Sequence, residues 1–191
     1  YDQWTYAIGA VYRHYRDNSF DTWVLSRNML NNESNKFENN IENGVPVLRY
    51  GSQEIENKLR YENTYRVNDY KIISGVGAEY VKYTNETFKK VFIPAGPDTI
   101  TSLSYNSSLL FWRYNAFLQA SRSFMDNRLT LSAGFRLDGN SYSSEMANPF
   151  SQFSPRASVS WGLTDKVFLN GNLGRFYQLP SYTTLAYRDL S

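Results

Sequence analysis

The sequence contains no cysteine and only one histidine among its 191 residues. Without cysteine, the chain can form no disulfide framework, no thiolate metal site and no cysteine nucleophile. A serine–histidine hydrolase would need the single histidine, His14, beside a serine, but His14 lies in a predicted turn next to Tyr15 and Arg16. We therefore expect no enzyme activity, no metal site and no cofactor.

Long apolar runs are also missing. A membrane-spanning helix needs about 18 or more consecutive apolar residues, and the best stretch, 108–124, is interrupted by Arg113, Asn115, Gln119 and Arg122. The 20 basic residues nearly balance the 18 acidic ones, which gives a net charge of +2. The sequence thus excludes a helical membrane protein, and its charge balance gives no reason to expect a nucleic-acid partner.

The dominant pattern is alternation of apolar and polar residues. In the segment 54–67, Ile55, Leu59 and Tyr61 share one parity, while Lys58 and Arg60 belong to the other. Because successive side chains of a strand point to opposite faces, this segment is predicted to be a strand with one apolar face and one charged face. Its charges are expected to form an ordinary cross-strand ladder and not an acid–base site. Similar alternation predicts about eight strands, over 4–12, 20–27, 54–67, 70–83, 110–121, 129–138, 156–163 and 167–173.

The predicted connections alternate between short turns that carry Asn or Asp and long polar segments. The short ones are 14–19, 68–69, 125–128 and 164–165, and the long ones are 29–53, 84–106 and 139–152. Bacterial outer-membrane barrels have this asymmetry, with short periplasmic turns and long external loops. A soluble barrel or a β-sandwich would show the same alternation with its apolar face buried. Segments longer than the usual ~5–6 residues of a globular strand favour the membrane barrel.

Short motifs in the last third of the chain follow one another in a recognisable order. They are Gly134-x-Arg136-x-Asp138, Ser154-Pro155-Arg156, Thr164-Asp165 and Leu179-Pro180-Ser181. Their order resembles that in the barrel of TonB-dependent outer-membrane transporters. The sequence from Tyr177 to Tyr182 is similar to that of family members from Bacteroidota. The resemblance implies an all-β fold, an antiparallel up-and-down transmembrane β-barrel in the bacterial outer membrane, in which this chain supplies about eight of about 22 strands.

The same resemblance implies a function and a set of partners. Residues 1–191 would be part of a single β-barrel domain, with the plug domain and the C-terminal strands outside the sequence. The whole protein would be a receptor for the energised uptake of a scarce nutrient, namely a siderophore, vitamin, glycan or peptide. Its implied partners are outer-membrane lipid, its own plug domain, the TonB machinery, a small-molecule, glycan or peptide ligand, and a surface lipoprotein.

Two other functions stay open at this point. A self-contained outer-membrane barrel of eight strands, acting as an adhesin, an anchor or a small porin, would pair its first strand with its last. A soluble sugar-binding β-domain would instead bury its apolar face beneath a second layer.

Two sets of residues are candidates for function. We expect external loops to supply aromatic ligand contacts, because loops carry binding residues and aromatic rings suit sugars or siderophores. These candidates are Tyr105, Phe111, Tyr142 and Phe150. The second set is expected to face the lumen or the plug and consists of Arg136, Arg156, Gln178 and Pro180. Both arginines lie on the polar parity, which cannot face lipid, and Pro180 ends the last strand pattern, so 178–184 is predicted to be irregular.

Overall fold

The computed structural model describes residues 1–41, 44–93 and 99–187. The chain forms eight strands, which we number in chain order. They are β1 Asp2–Tyr15, β2 Ser19–Phe37, β3 Pro46–Val67, β4 Tyr70–Ile93, β5 Thr99–Phe124, β6 Leu129–Asn140, β7 Ser154–Thr164 and β8 Val167–Gly174. Each strand pairs antiparallel with the next, in the order β1 to β8, so the strands form one open sheet with β1 and β8 at its edges. This confirms the predicted all-β, up-and-down architecture.

The helical elements are short. Two of them are α-helical, α1 Ser144–Ala147 and α2 Tyr182–Ala186, and two are 3-10 turns, Glu38–Asn40 and Pro149–Gln152. Of the helices in the described ranges, none is long and apolar enough to cross a membrane.

The turns at one end of the sheet are tight. Between β3 and β4 only two residues intervene, and Asn68 adopts a positive φ of 50° there. Between β5 and β6, Met125, Asp126 and Asn127 all have positive φ. Asn and Asp tolerate this left-handed conformation better than other non-glycine residues, which is why the sequence signalled these turns correctly.

Several strands are longer than the sequence predicted. The long segments 29–53 and 84–106 were expected to be loops, but β2 continues to Phe37, β3 begins at Pro46, β4 continues to Ile93 and β5 begins at Thr99. Residues 42–43 and 94–98 of those segments lie outside the described residues. Polar residues occupy both faces of these strand extensions, so the alternation that marks a strand disappears there. The third predicted loop, 139–152, is close to the observed connection between β6 and β7.

The two faces of the sheet have different compositions. The face that carries Lys58, Val81 and Phe111 supports α2, and we call it the inner face. The opposite, outer face carries most of the exposed apolar side chains, including Leu59 and Trp112. No second layer covers the outer face within the described residues, as expected for a sheet whose outer face meets lipid.

Candidate functional site

The candidate site is the inner face of β3, β4 and β5 together with the segment 175–187, which folds back across it. After β8 ends, residues 175–181 have no regular structure. The hydroxyl of Ser181 accepts a hydrogen bond from the amide of Thr184 at 3.3 Å and so caps α2. The prediction that 178–184 is irregular is therefore wrong for Tyr182 to Thr184, because this cap starts a short helix.

An apolar cluster holds α2 against the sheet. Leu185 and Ala186 of the helix pack with four residues of β4 and β5, and all six are buried. The four residues of the sheet are Val81, Tyr83, Leu109 and Phe111. The ring of Tyr182 completes this cluster, since it lies 5.9 Å from the ring of Phe111 in an edge-on arrangement and 6.3 Å from that of Tyr83.

A charged network fixes the other side of Tyr182. Its hydroxyl donates a hydrogen bond to the Glu56 carboxylate at 2.5 Å and accepts one from the Arg113 guanidinium at 3.2 Å. Arg113 also pairs with Glu79 at 3.0 Å, and Lys58 pairs with Glu56 at 2.6 Å. Two carboxylates and two cations therefore balance one another on this part of the wall, as partly buried charges must.

Burial raises the pKa of the Tyr182 phenol above its usual value, and the hydrogen bond to the Glu56 carboxylate raises it further. The phenol therefore keeps the proton that it donates to Glu56 to a higher pH than a free tyrosine would.

Tyrosine hydroxyls satisfy the carbonyl groups at the C-terminal end of α2. Tyr142 donates to the carbonyl of Leu185 at 2.9 Å, and Tyr105 donates to the carbonyl of Ala186. The last carbonyls of a helix have no partner within it, so these two side chains stabilise the helix end.

Three of the four aromatic residues predicted as ligand contacts meet at this helix. Tyr105 was expected in the long loop 84–106 but lies in β5, because that strand begins much earlier than its apolar pattern does. Phe111, also expected to contact a ligand, lies in the same strand, within the predicted segment 110–121. Tyr142 lies in the connection after β6, as predicted. Phe150 lies apart from the cluster in the 3-10 turn Pro149–Gln152, with 74% of its surface exposed.

The four predicted lumen-facing residues divide between two places. Arg136 belongs to the inner face of β6 and pairs with Asp138 at 2.8 Å. Arg156 belongs to the inner face of β7, and its guanidinium lies 4.8 Å from the ring centre of Phe176. Gln178 and Pro180 lie in the irregular stretch before α2 and are both exposed.

The charged ladder differs in detail from its prediction. Two of its ion pairs join residues two apart on β3, namely Lys58 with Glu56 and Arg60 with Glu62. Arg113 joins different strands, since it pairs with Glu79 on β4 at 3.0 Å and lies 3.9 Å from Glu56 on β3. Sequence reasoning missed Tyr182 as the residue that ties α2 to this ladder, since no local pattern links positions 56 and 182. The network and the apolar cluster together bind the segment that contains α2 to the inner face of the sheet.

In the described ranges, no three metal-ligating side chains lie together.

Comparison with known proteins agrees with this architecture. The family described as TonB dependent receptor-like, beta-barrel matches residues 1–189. The outer membrane transporter YddB from Escherichia coli is 14% identical with a TM-score of 0.62, and the match covers 92% of this chain and 26% of that protein. The copper transporter OprC is 18% identical with a TM-score of 0.64, and the match covers 94% of this chain and 32% of that protein.

These matches show which features the chain shares with known proteins. No curated protein matches the chain. The chain spans about a quarter to a third of the two solved structures, and at these identities they establish its fold. The expected Bacteroidota origin stays a prediction. The family consists of receptors and not of enzymes, and its members lie in the bacterial outer membrane. Since the family match covers nearly every residue, the chain belongs to the TonB-dependent receptor-like β-barrel family.

Proposed function

We propose that this chain forms part of the wall and the external loops of a TonB-dependent importer that takes up a scarce nutrient, namely a siderophore, vitamin, glycan or peptide. The observation that carries this proposal is the binding of α2 to the inner face through Tyr182, Glu56 and Arg113. A barrel wall that surrounds a plug must bind protein on its inner side, and this wall has the charges and aromatic rings to do so. Both structural relatives are described as transporters, one of them of copper.

The proposed partners follow from this position. The outer face would contact outer-membrane lipid, and the inner face would contact the plug domain, on which the TonB machinery acts. The remaining inner-face cations, such as Arg136 and Arg156, would meet the plug together with Gln178 and Pro180. The external loops would receive the small-molecule, glycan or peptide ligand and a surface lipoprotein.

The aromatic candidates differ in how they could reach a ligand. Phe150 and Tyr142 are exposed near the external end of the sheet, so they could touch a ligand as the chain stands. Phe111 is only 2% exposed because Tyr182 and Leu185 cover it. In this proposal Phe111 and Tyr105 contact the ligand only when α2 leaves the wall, and Phe150 is the first contact.

Two observations count against the alternative functions. β1 and β8 lie at opposite edges of an open sheet, whereas a complete barrel of eight strands would pair them. Leu59, Trp112 and Val76 are about half exposed on the outer face, whereas a soluble sandwich would bury them.

Uptake by cells tests the proposal. Cells that express the complete receptor would be given labelled ferric siderophore, cobalamin, oligosaccharide and oligopeptide in turn, with and without a functional TonB. We expect one ligand class to accumulate, and only in cells with TonB. Accumulation that is independent of TonB would indicate a passive pore and would refute the importer.

A matched pair of variants tests the ligand contact. Phe150→Ala should weaken binding of the transported ligand by about tenfold, the effect of losing one good aromatic contact. Phe168→Ala is the control, because Phe168 is similarly exposed, at 63%, but lies near the opposite end of the sheet. Equal binding by both variants would remove Phe150 from the ligand site.

A further inference from the structure

The outer face of β2 to β5 changes character abruptly towards the end of the sheet with long connections. Its last mainly apolar row contains Met29, Ile55 and Leu110, with Lys82 between Ile55 and Leu110, and these four are cross-strand neighbours. Beyond it come three rows with eleven polar or glycine positions and one phenylalanine. These rows are Asn31, Gln53, Thr84 and Ser108, then Glu33, Gly51, Glu86 and Asn106, then Asn35, Arg49, Phe88 and Ser104.

The position of the three rows identifies their surroundings. Each row lies about 6.6 Å further along the strands than the one before it. The aromatic pair Tyr80 and Trp112, with ring centres 4.9 Å apart, sits just on the lipid side of the boundary, as interfacial aromatics do. The long connections of such barrels are external. The three rows therefore stand at the level of the headgroups of the outer leaflet.

The rows are not flat. Two adjoining hollows of about 510 and 360 Å³ open on this surface, and both are lined by Glu33, Gly51 and Glu86. Gly51 creates space between them, because a Cβ atom added there would meet nothing within 4 Å. Volumes of this size are typical of small-molecule sites. The hollows lie over β3 and β4 and are flanked by β2 and β5, so these four strands supply the described residues that line them.

The polar side chains around the hollows are available for a ligand. Within 1–41, 44–93 and 99–187, Arg49, Gln53 and Glu86 make no hydrogen bond or ion pair through their side chains, and Glu33 accepts one only from Asn31, at 3.4 Å. By contrast, Glu56 and Glu79 on the inner face each pair with a cation, Lys58 and Arg113 respectively.

The chemistry of the lining selects the ligand. Carboxylates and amides side by side match the vicinal hydroxyl groups of a sugar, and the ring of Phe88 offers an apolar surface for a sugar face. Two carboxylates against one guanidinium give the hollows a net negative charge, which disfavours a phosphate group. Asn31, Gln53 and Thr84 line the smaller hollow and belong to the row directly above the last mainly apolar row. A sugar attached to acyl chains could therefore occupy the hollow while its chains lie against the rows below.

We propose that the hollows around Gly51 bind an uncharged saccharide unit of the outer-leaflet glycolipid, while the acyl chains of the same molecule lie against the apolar rows beneath. The saccharide hydroxyls donate to Glu33 and Glu86 and accept from Arg49 and Gln53.

Retention of lipopolysaccharide by the purified complete receptor tests this proposal. The receptor would be extracted from outer membranes, exchanged into detergent, and analysed by native mass spectrometry for bound glycolipid. Gly51→Leu fills the hollow and should lower retention roughly tenfold. The double variant Glu33→Gln and Glu86→Gln keeps the shape and should lower it several-fold. Ser108→Leu is the control, because Ser108 lies in the first polar row but lines neither hollow, and it should retain as much as the wild type.

Three results would overturn the proposal. One is wild-type retention by the double variant, which decides the matter even if Gly51→Leu fails to fold. Another is an equal loss in the Ser108→Leu control. The third comes from the core oligosaccharide after its lipid has been removed by mild acid. If this free glycan binds the receptor as tightly as the intact glycolipid, the hollow serves a soluble glycan.

Discussion

The two faces of β4 and β5 both carry large apolar side chains, but these are buried on one face and exposed on the other. On the inner face, Tyr83 and Phe111 are 1% and 2% exposed because α2 covers them. On the outer face, Leu110 and Trp112 are 57% and 51% exposed, and nothing in the described chain covers them. A soluble protein would not leave such a broad apolar face to water. The difference shows that the inner apolar residues bind the chain's own segment, while the outer ones are there for lipid.

Removing the ring of Phe111, which is buried at the centre of the inner cluster, should have the largest effect. Phe111→Ala should cost about 3–5 kcal/mol of the free energy that holds α2 on the sheet, because it empties the centre of the cluster. Hydrogen exchange of the Leu185 amide, which is bonded to the Ser181 carbonyl at 3.0 Å, would report the release.

The control for this change lies on the opposite face of the same strand. Trp112→Ala removes an even larger ring, but one that touches lipid and not α2, so exchange at Leu185 should stay unchanged. If both variants accelerate exchange equally, the inner cluster does not hold the helix.

A charge placed on the outer face should have the next largest effect. Leu59→Arg puts a guanidinium into the apolar belt and should lower the free energy of unfolding in lipid vesicles by about 2–4 kcal/mol. The neighbouring change Arg60→Leu, on the inner face, should lower it by less than about 1 kcal/mol, since the exposed pair of Arg60 with Glu62 contributes little. Guanidinium titration of the refolded receptor measures both. Similar losses from the two changes would place Leu59 away from lipid.

The link between α2 and the charged network should be of intermediate strength and should depend on pH. Tyr182→Phe removes the hydrogen bond to Glu56 and should weaken the docking of α2 by about 1–3 kcal/mol. Because the pKa of Tyr182 is higher in the docked state than its usual value of about 10, docking favours the protonated phenol. The stabilisation is complete below about pH 10 and declines as the pH rises above it.

Hydrogen exchange of 182–187 between pH 8 and 11, corrected for the intrinsic exchange rate, would show this decline in the wild type and not in Tyr182→Phe. Tyr187→Phe is the matched control, because Tyr187 directly follows α2 but is 70% exposed. A wild type that responds to pH no more than Tyr182→Phe would show that the phenol does not hold α2.

The alternation of the sequence was enough to predict the strands and their faces wherever one face is apolar. Leu59 and Lys58 stand next to each other in sequence and on opposite faces in the structure, as period two requires. The alternation no longer identified strands beyond Met29 and Ile55. There Glu33, Gly51 and their neighbours place polar residues on both faces, so apolar residues do not recur at every second position. Those strand extensions were predicted as loops for that reason.

The position of α2 could not be predicted from local patterns. Tyr182 meets Glu56 across 126 residues of sequence, and such a contact depends on the register of six strands. The one local sign of the helix is Ser181, three residues before Thr184, which is the spacing of an N-terminal cap. Phe111 was chosen for its ring, but its partner was unknown, so a covered side chain was predicted to be a free one.

The smallest effect is expected where the inner face is open. Asp138→Asn breaks the pair with Arg136 on β6, and because both side chains are about one third exposed, it should cost no more than about 1 kcal/mol of unfolding free energy for the isolated chain. The complete receptor provides the contrast. If the plug covers this part of the wall as α2 covers β4 and β5, the same change leaves the Arg136 charge buried without a partner. In that case the cost in unfolding free energy should rise to about 3 kcal/mol or more. An unchanged small cost in the complete receptor would show that Arg136 faces water and not the plug.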